Sequence, residues 1–358
     1  MKDDRAVRFD LLDGLRGIAA ILVMLYHYCH HNGVHELSGA WAAVDLFFVL
    51  SGLVIAHSYG QKIAQGLGFG RYLYLRLARL GPMYLLGLLL GVVAAALALW
   101  RNPLSTADAG QLTTAALLNA LWLPYFNDAA WAFGSDAVTA AVFPLNDPAW
   151  SLFFELLVNI GFFWFVLSRR ALSDARLVLP AMALYLASTL LLGEINPGWT
   201  TGNFVYGLPR VTAGFFLGAL IYQWRLHQRP VPPTIAFGAA GLMLACFFVG
   251  NLYVTMFNTL VAIPLSIATL SAIGARPAWQ WLCHWLGELS YPLYILHVPI
   301  YRLTWELTPL QSLPVAARIT LVAILTAALS LLLARADARL RKHLMARAPG
   351  ARHAARAG

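Results

Sequence analysis

The sequence predicts an all-α integral membrane protein of about ten transmembrane helices with both termini cytoplasmic. Three observations carry this. First, 60% of the 358 residues are apolar and only 11% are charged, whereas a soluble domain holds roughly a quarter charged residues to keep its surface wet. Such a chain cannot be a water-soluble enzyme, a coiled coil or a disordered segment. Second, the apolar residues fall in blocks of about twenty, the length a helix needs to cross the hydrocarbon core. Third, the basic residues collect in alternate loops, as orientation in a membrane requires.

The blocks run approximately over 13–31, 41–58, 82–100, 148–168, 176–193, 205–224, 234–250, 253–274, 283–305 and 315–335. A further stretch, 110–125 (GQLTTAALLNALWLPY), is short and carries Gln, Thr and Asn. If it spanned, 126–147 would be cytoplasmic, yet that segment holds Asp128, Asp136 and Asp147 and no Lys or Arg. We therefore read 110–125 as an interfacial or re-entrant helix on the outer side. Ten passes then put all but four of the 25 basic residues on the cytoplasmic side, the exceptions being Arg101, Arg210, Arg302 and Arg318. The net charge of +9 reflects that orientation rather than nucleic-acid binding. The first block lacks a small-residue cleavage pattern, so it is expected to stay with the protein rather than leave as a signal peptide. Residues 1–335 form the membrane domain. The Ala/Arg-rich stretch 336–358 reads as a cytoplasmic tail, disordered or lying on anionic head groups. Cys29, Cys246 and Cys283 are scattered through apolar segments and imply no disulfide framework.

Ionisable residues inside such blocks are costly and usually mark a site. Arg16 and His27 in the first block are eleven residues apart, within about 20° of three full helical turns, so they share a face about 16 Å apart. His27, His30 and His31 have i, i+3, i+4 spacing, but no carboxylate or second thiolate joins them beyond Cys29, so no metal is expected. In the second block Asp45 is either a helix-entry residue or the orienting partner of a buried His, and Ser51–Gly52 permits close helix approach. Arg71, Arg76 and Arg79 precede the third span; Arg76 and Arg79 form one cationic patch suited to phosphate. In the fourth, Asp147 and Pro148 read as N-cap and first helical residue. Ser151 and Glu155 then share a face, with Glu155 at the depth of His27 and in need of a partner. The ninth carries a polar stripe at Ser290, Tyr294, His297 and Tyr301, of which Tyr294 and His297 are candidate site residues, and Pro292 and Pro299 can kink it.

These features favour a ligand that is anionic at its cytoplasmic end and reaches into the membrane. Acyl-coenzyme A has that shape: a phosphorylated head and a long pantetheine arm. His27 would serve as general base on an acceptor hydroxyl, held by a carboxylate; an acyl-histidine intermediate is a second route.

The pieces LDGLRGIAAILVMLYH, DLFFVLSGLVI, RLARLGPMY, WSLFFE and LSYPLYILH stand in the order of one known family. Over residues 10–335 the chain resembles the membrane acyltransferase 3 family of O-acyltransferases. The resemblance implies about ten helices with cytoplasmic termini in the inner (plasma) membrane, among membrane lipid. It implies transfer of acyl groups, often acetyl, from coenzyme A thioesters to hydroxyls of cell-envelope or exported carbohydrate, including lipid-linked glycans. It places the family's Arg and His on Arg16 and His27, its loop arginines on Arg76 and Arg79, and its Trp-Ser-Leu-x-x-Glu glutamate on Glu155. The hydrolase-like domain fused to some members is not expected here. In the outer segment, Trp131 and Phe133 are placed to stack on a sugar or to sit in the interfacial belt. The alternative class is a polytopic transporter or flippase using Arg16, His27, Asp45 and Glu155 as a relay, but no inverted repeat is visible.

Overall fold

The apolar blocks fold as helices. The structure, a computed structural model, describes residues 9–101, 107–133, 136–168, 175–193 and 196–347. Of the cations assigned above to the cytoplasmic side, Lys2, Arg5, Arg8, Arg169, Arg170, Arg352 and Arg356 lie outside those residues, as does the end of the basic tail.

In chain order the helices are α1 Asp10–His31, α2 Ala43–Ala64, α3 Phe69–Arg101, α4 Ala109–Ala120, α5 Ala149–Leu167 and α6 Ala175–Leu192. Then come α7 Gly207–Gln223, α8 Pro233–Cys246, α9 Leu252–Phe257, α10 Ile263–Ser271, α11 Pro277–Leu307 and α12 Val315–Ala346. Among the described residues, seven stretches are long and apolar enough to cross a membrane: α1, 40–64, α3, α5, 204–223, 252–271 and α12. α6 and α8 are apolar but shorter. α11 has 31 residues, with Pro292, Pro299 and its polar stripe breaking the apolar run. A π-helical turn, Asn258–Ala262, joins α9 to α10.

The interfacial reading of 110–125 becomes a twelve-residue helix, α4, opened by a capping box between Asp108 and Gln111. At about 18 Å it is too short to cross. Trp122, at φ 62°, turns the chain back, and its indole stacks on Tyr84 with ring centroids 3.9 Å apart. The chain is not wholly α-helical. Ala130–Phe133 (β1) and Asp136–Thr139 (β2) pair antiparallel, Trp131 opposite Val138. This aromatic and β-branched stretch buries Trp131, Phe133 and Val138 in the fold, which suits a strand pair better than a surface loop. Trp131 and Phe133 are only 1% and 3% exposed, so neither offers a face to a sugar.

Packing follows two parallel pairs. α1 lies along α11, with Arg16 meeting Ser290 and Tyr28 meeting the backbone of His297. α2 lies along α7, where backbone approach is so close that a Cβ on Gly52 would stand 1.7 Å from the Phe215 carbonyl oxygen. α3, α11 and α12, of 33, 31 and 32 residues, are each about 45–50 Å long against a hydrocarbon core of about 30 Å. Their excess projects at one end, where the N-terminal turns of α3 and α11 meet the C-terminal turns of α12; Tyr74 Oη donates to the Leu344 carbonyl at 2.9 Å. The helix thus continues to Ala346, through a stretch whose sequence reads as tail.

Candidate active site

At that same end a cavity of about 600 Å³ opens between α1, α2, α3, α5, α11 and α12, within the roughly 300–1,000 Å³ typical of small-molecule sites. Five cations line it, Arg16, Lys62, Arg76, Arg79 and Arg341, against three carboxylates, Asp13, Glu155 and Glu288. α1 supplies Arg16, whose Nε donates to Ser290 Oγ at 2.9 Å and Nη2 to the Gly287 carbonyl at 2.8 Å. The guanidinium is therefore held against α11, with Asp13 one turn below at 3.2 Å. Arg76 and Arg79, one turn apart on α3, both reach the cavity. Arg76 Nη2 lies 3.1 Å from Glu155 Oε1, and Ser51 Oγ donates to the same oxygen at 2.8 Å. Arg79 makes no ion pair among the described residues, which leaves its charge for an anion.

Phe47, Ser151 and Tyr294 also line the cavity. The Ser151 hydroxyl is 2.8 Å from the Pro148 carbonyl, which can only accept, so its proton is committed there. Ser151 Oγ lies 2.7 Å from Tyr294 Oη, which is also 3.3 Å from the Pro148 carbonyl. Ser151 thus fixes the Tyr294 ring, which also meets Phe47 edge-on at 5.1 Å.

One turn beyond Tyr294 on α11, and outside the cavity lining, His297 meets His27: Nε2 to Nδ1, 3.1 Å. The tautomers follow from acceptors that cannot donate. His297 Nδ1 is 2.7 Å from the Tyr294 carbonyl and so carries its proton, which leaves Nε2 bare if the ring is neutral. His27 Nδ1, 2.8 Å from the Val23 carbonyl, likewise carries its proton and shares it with His297 Nε2. The remaining nitrogen, His27 Nε2, has an open lone pair and no hydrogen bond among the described residues. His297 is fully buried and His27 half-buried. This is a base with its second nitrogen anchored, the arrangement proton abstraction needs.

Several sequence expectations meet a different geometry. Glu155 does not share the depth of His27; it sits with Arg76 and Ser51, about 10 Å toward the cavity mouth by helical rise. The cause is the segment before α5: residues 141–146 are buried, so α5 starts inside the fold and all its residues shift inward. Asp147 does not cap α5; its carboxylate takes Arg302 Nη2 at 2.6 Å. Asp45 orients no histidine. Its two oxygens take Arg210 Nε and Nη2 at 2.7 and 3.1 Å, and Thr259 in the π-turn donates at 3.0 Å. Arg210 is wedged between Trp41 and Trp150. Arg71 does not line the cavity. Arg210 and Arg302 are two of the four cations left over from the cytoplasmic count, and pairing leftover cations with the acids Asp45 and Asp147 would have found both bridges. No histidine, cysteine and carboxylate group of metal-holding geometry occurs among the described residues.

The apolar helices thus enclose a cavity lined by five cations and three carboxylates, one helical turn from an anchored imidazole. Residues 9–335 match the acyltransferase-domain family (acyltransferase 3), and the chain belongs to it. Over 161 residues it is 40% identical to "Protein 2 in picA locus" of Rhizobium radiobacter, covering 42% of this chain and 79% of that protein. Over 354 residues it is 28% identical to the "Putative peptidoglycan O-acetyltransferase YrhL" of Bacillus subtilis strain 168, covering 89% of this chain and 52% of that protein. The chain therefore spans about half the length of that relative. No solved structure matches. Membership in an acyltransferase family does not favour the transporter alternative.

Proposed function

We propose that this protein transfers an acyl group, acetyl above all, from a coenzyme A thioester to a hydroxyl of a cell-envelope or exported carbohydrate. It does so as a ten-pass protein of the inner (plasma) membrane with both termini cytoplasmic. The observation that carries the reading is a cationic cavity at the charged end of the bundle that stops one helical turn short of the His27–His297 pair. The parallel packing of α1 with α11 and of α2 with α7 agrees with ten passes, because each pair is then separated by an even number of crossings. The Bacillus relative's name supports a carbohydrate acceptor.

In this reading Arg16, Arg76 and Arg79 bind the phosphorylated head and the pantetheine arm runs inward. Glu155 holds Arg76 in place. Tyr294, latched by Ser151, and Phe47 close the inner end, so the thioester meets His27 when that pair gives way. His27 Nε2 takes the proton of the acceptor hydroxyl as its oxygen attacks the thioester carbonyl. The carbon–sulfur bond breaks, and the leaving thiolate takes the proton from the imidazolium. His297 holds His27 in the required tautomer throughout.

The test is transfer activity and surface-glycan mass spectrometry in a deletion strain carrying variants. His27→Ala should lower turnover by about 10²-fold or more and leave the glycans one acyl increment lighter. His297→Gln, whose amide oxygen can still accept from His27 Nδ1, should keep more activity than His297→Leu. Intact transfer in His27→Ala removes the reading.

A further inference from the structure

The family match ends at residue 335, but the wall of the cavity does not. Arg341 and Met345, one turn apart on the projecting end of α12, both line it. That end is built in rather than loosely laid down. Asp337 is 1% exposed and its carboxylate lies 2.7 Å from Arg341 Nε, and Leu344 accepts from Tyr74 on α3. The carboxylate pairs by charge with the Nε edge of the guanidinium, and the terminal Nη groups bond no described residue. Arg16 on α1 and Arg79 on α3 line the same cavity. Three guanidinium groups gathered round one opening repel each other, and an anion with several oxygens is the ligand that relieves this.

We infer that Arg341 binds the phosphate groups of the acyl donor, so that the projecting end of α12 completes the donor site from outside the family-matched region. This rests on the cavity being the coenzyme A site. Arginine rather than lysine suits the role, because its planar fork meets two phosphate oxygens at once. Met345 adds an apolar, adaptable surface on the same face.

The experiment is binding to the full-length purified protein in nanodiscs, with coenzyme A and pantetheine, which lacks the nucleotide phosphates, as the two probes. Arg341→Gln should weaken coenzyme A binding about tenfold, as loss of a charged hydrogen bond does, and leave pantetheine binding as in the wild type. Equal affinity of Arg341→Gln and wild type for coenzyme A overturns the inference, and so does an equal loss for both probes. If Arg341→Gln does not fold, Arg341→Lys decides: a several-fold loss for coenzyme A alone supports the inference and wild-type affinity overturns it. Wild-type protein that binds neither probe overturns the donor-site reading itself, a result distinct from all of these.

Discussion

At the residue scale the chemistry depends on how few groups stay uncommitted. Most buried polar side chains here are consumed by a partner, as hydrocarbon surroundings demand. Asp45 and Arg210, each 1% exposed, form such a closed unit, with Thr259, Asn196 and the Pro197 carbonyl taking the remaining valences. Removing one partner of a fully buried pair leaves an uncompensated charge, at a cost of about 3–5 kcal/mol. Asp45→Ala should therefore unfold at markedly lower temperature in detergent, with transfer falling in step with the folded fraction. A variant that melts like the wild type yet transfers nothing would return Asp45 to the chemistry. His27 is the opposite case, with one nitrogen anchored and the other open. Its candidacy was legible from the shared face with Arg16. Its partner His297 was legible only as one position in a stripe, because nothing local says which helix a stripe will meet.

At the element scale, small residues decide how close two helices come. Gly52 and Gly218 sit where α2 and α7 touch backbone to backbone: a Cβ on Gly218 would stand 1.9 Å from the Val49 carbonyl oxygen. Without a hydrophobic driving force between helices in lipid, such close packing is a main source of cohesion. Gly52→Ala should force the pair apart and destabilise by about 1–3 kcal/mol or more, while Gly60→Ala on the same helix, with open space around its Cβ, should be neutral or slightly stabilising. Equal melting of the two variants would mean that α2 and α7 can slide at no cost. Element type was well marked in the sequence, because runs of about twenty apolar residues leave few other folds. Two features escaped that reading. The β1–β2 hairpin did so because four-residue strands give too short a pattern. The role of Asp147 did so because an Asp-Pro pair resembles a cap whether or not the carboxylate has a stronger partner in Arg302.

At the scale of the whole molecule, the cavity, the overlong ends of α3, α11 and α12, and the cations of the loops occupy one end, while α4 and the hairpin occupy the other. That polarity predicts a topology. In a variant stripped of its three cysteines, a membrane-impermeant maleimide added to intact cells should label Asp128→Cys, an exposed position before the hairpin, and not Gln65→Cys, an exposed position after α2. Labelling of both from outside, or of Gln65→Cys alone, would invert or break the ten-pass arrangement. From the sequence by itself came the membrane class, the approximate places of the apolar helices and the residues bearing unusual charge, because hydropathy, helical period and the cost of burying ions act locally. The sequence singles out the leftover cations and acids, but the tertiary structure decided which partner each of them met. Asp45 went to Arg210, Glu155 to Arg76 and His27 to His297 because partner choice depends on the depth and rotation at which helices pack, and those are set by distant surfaces fitting together.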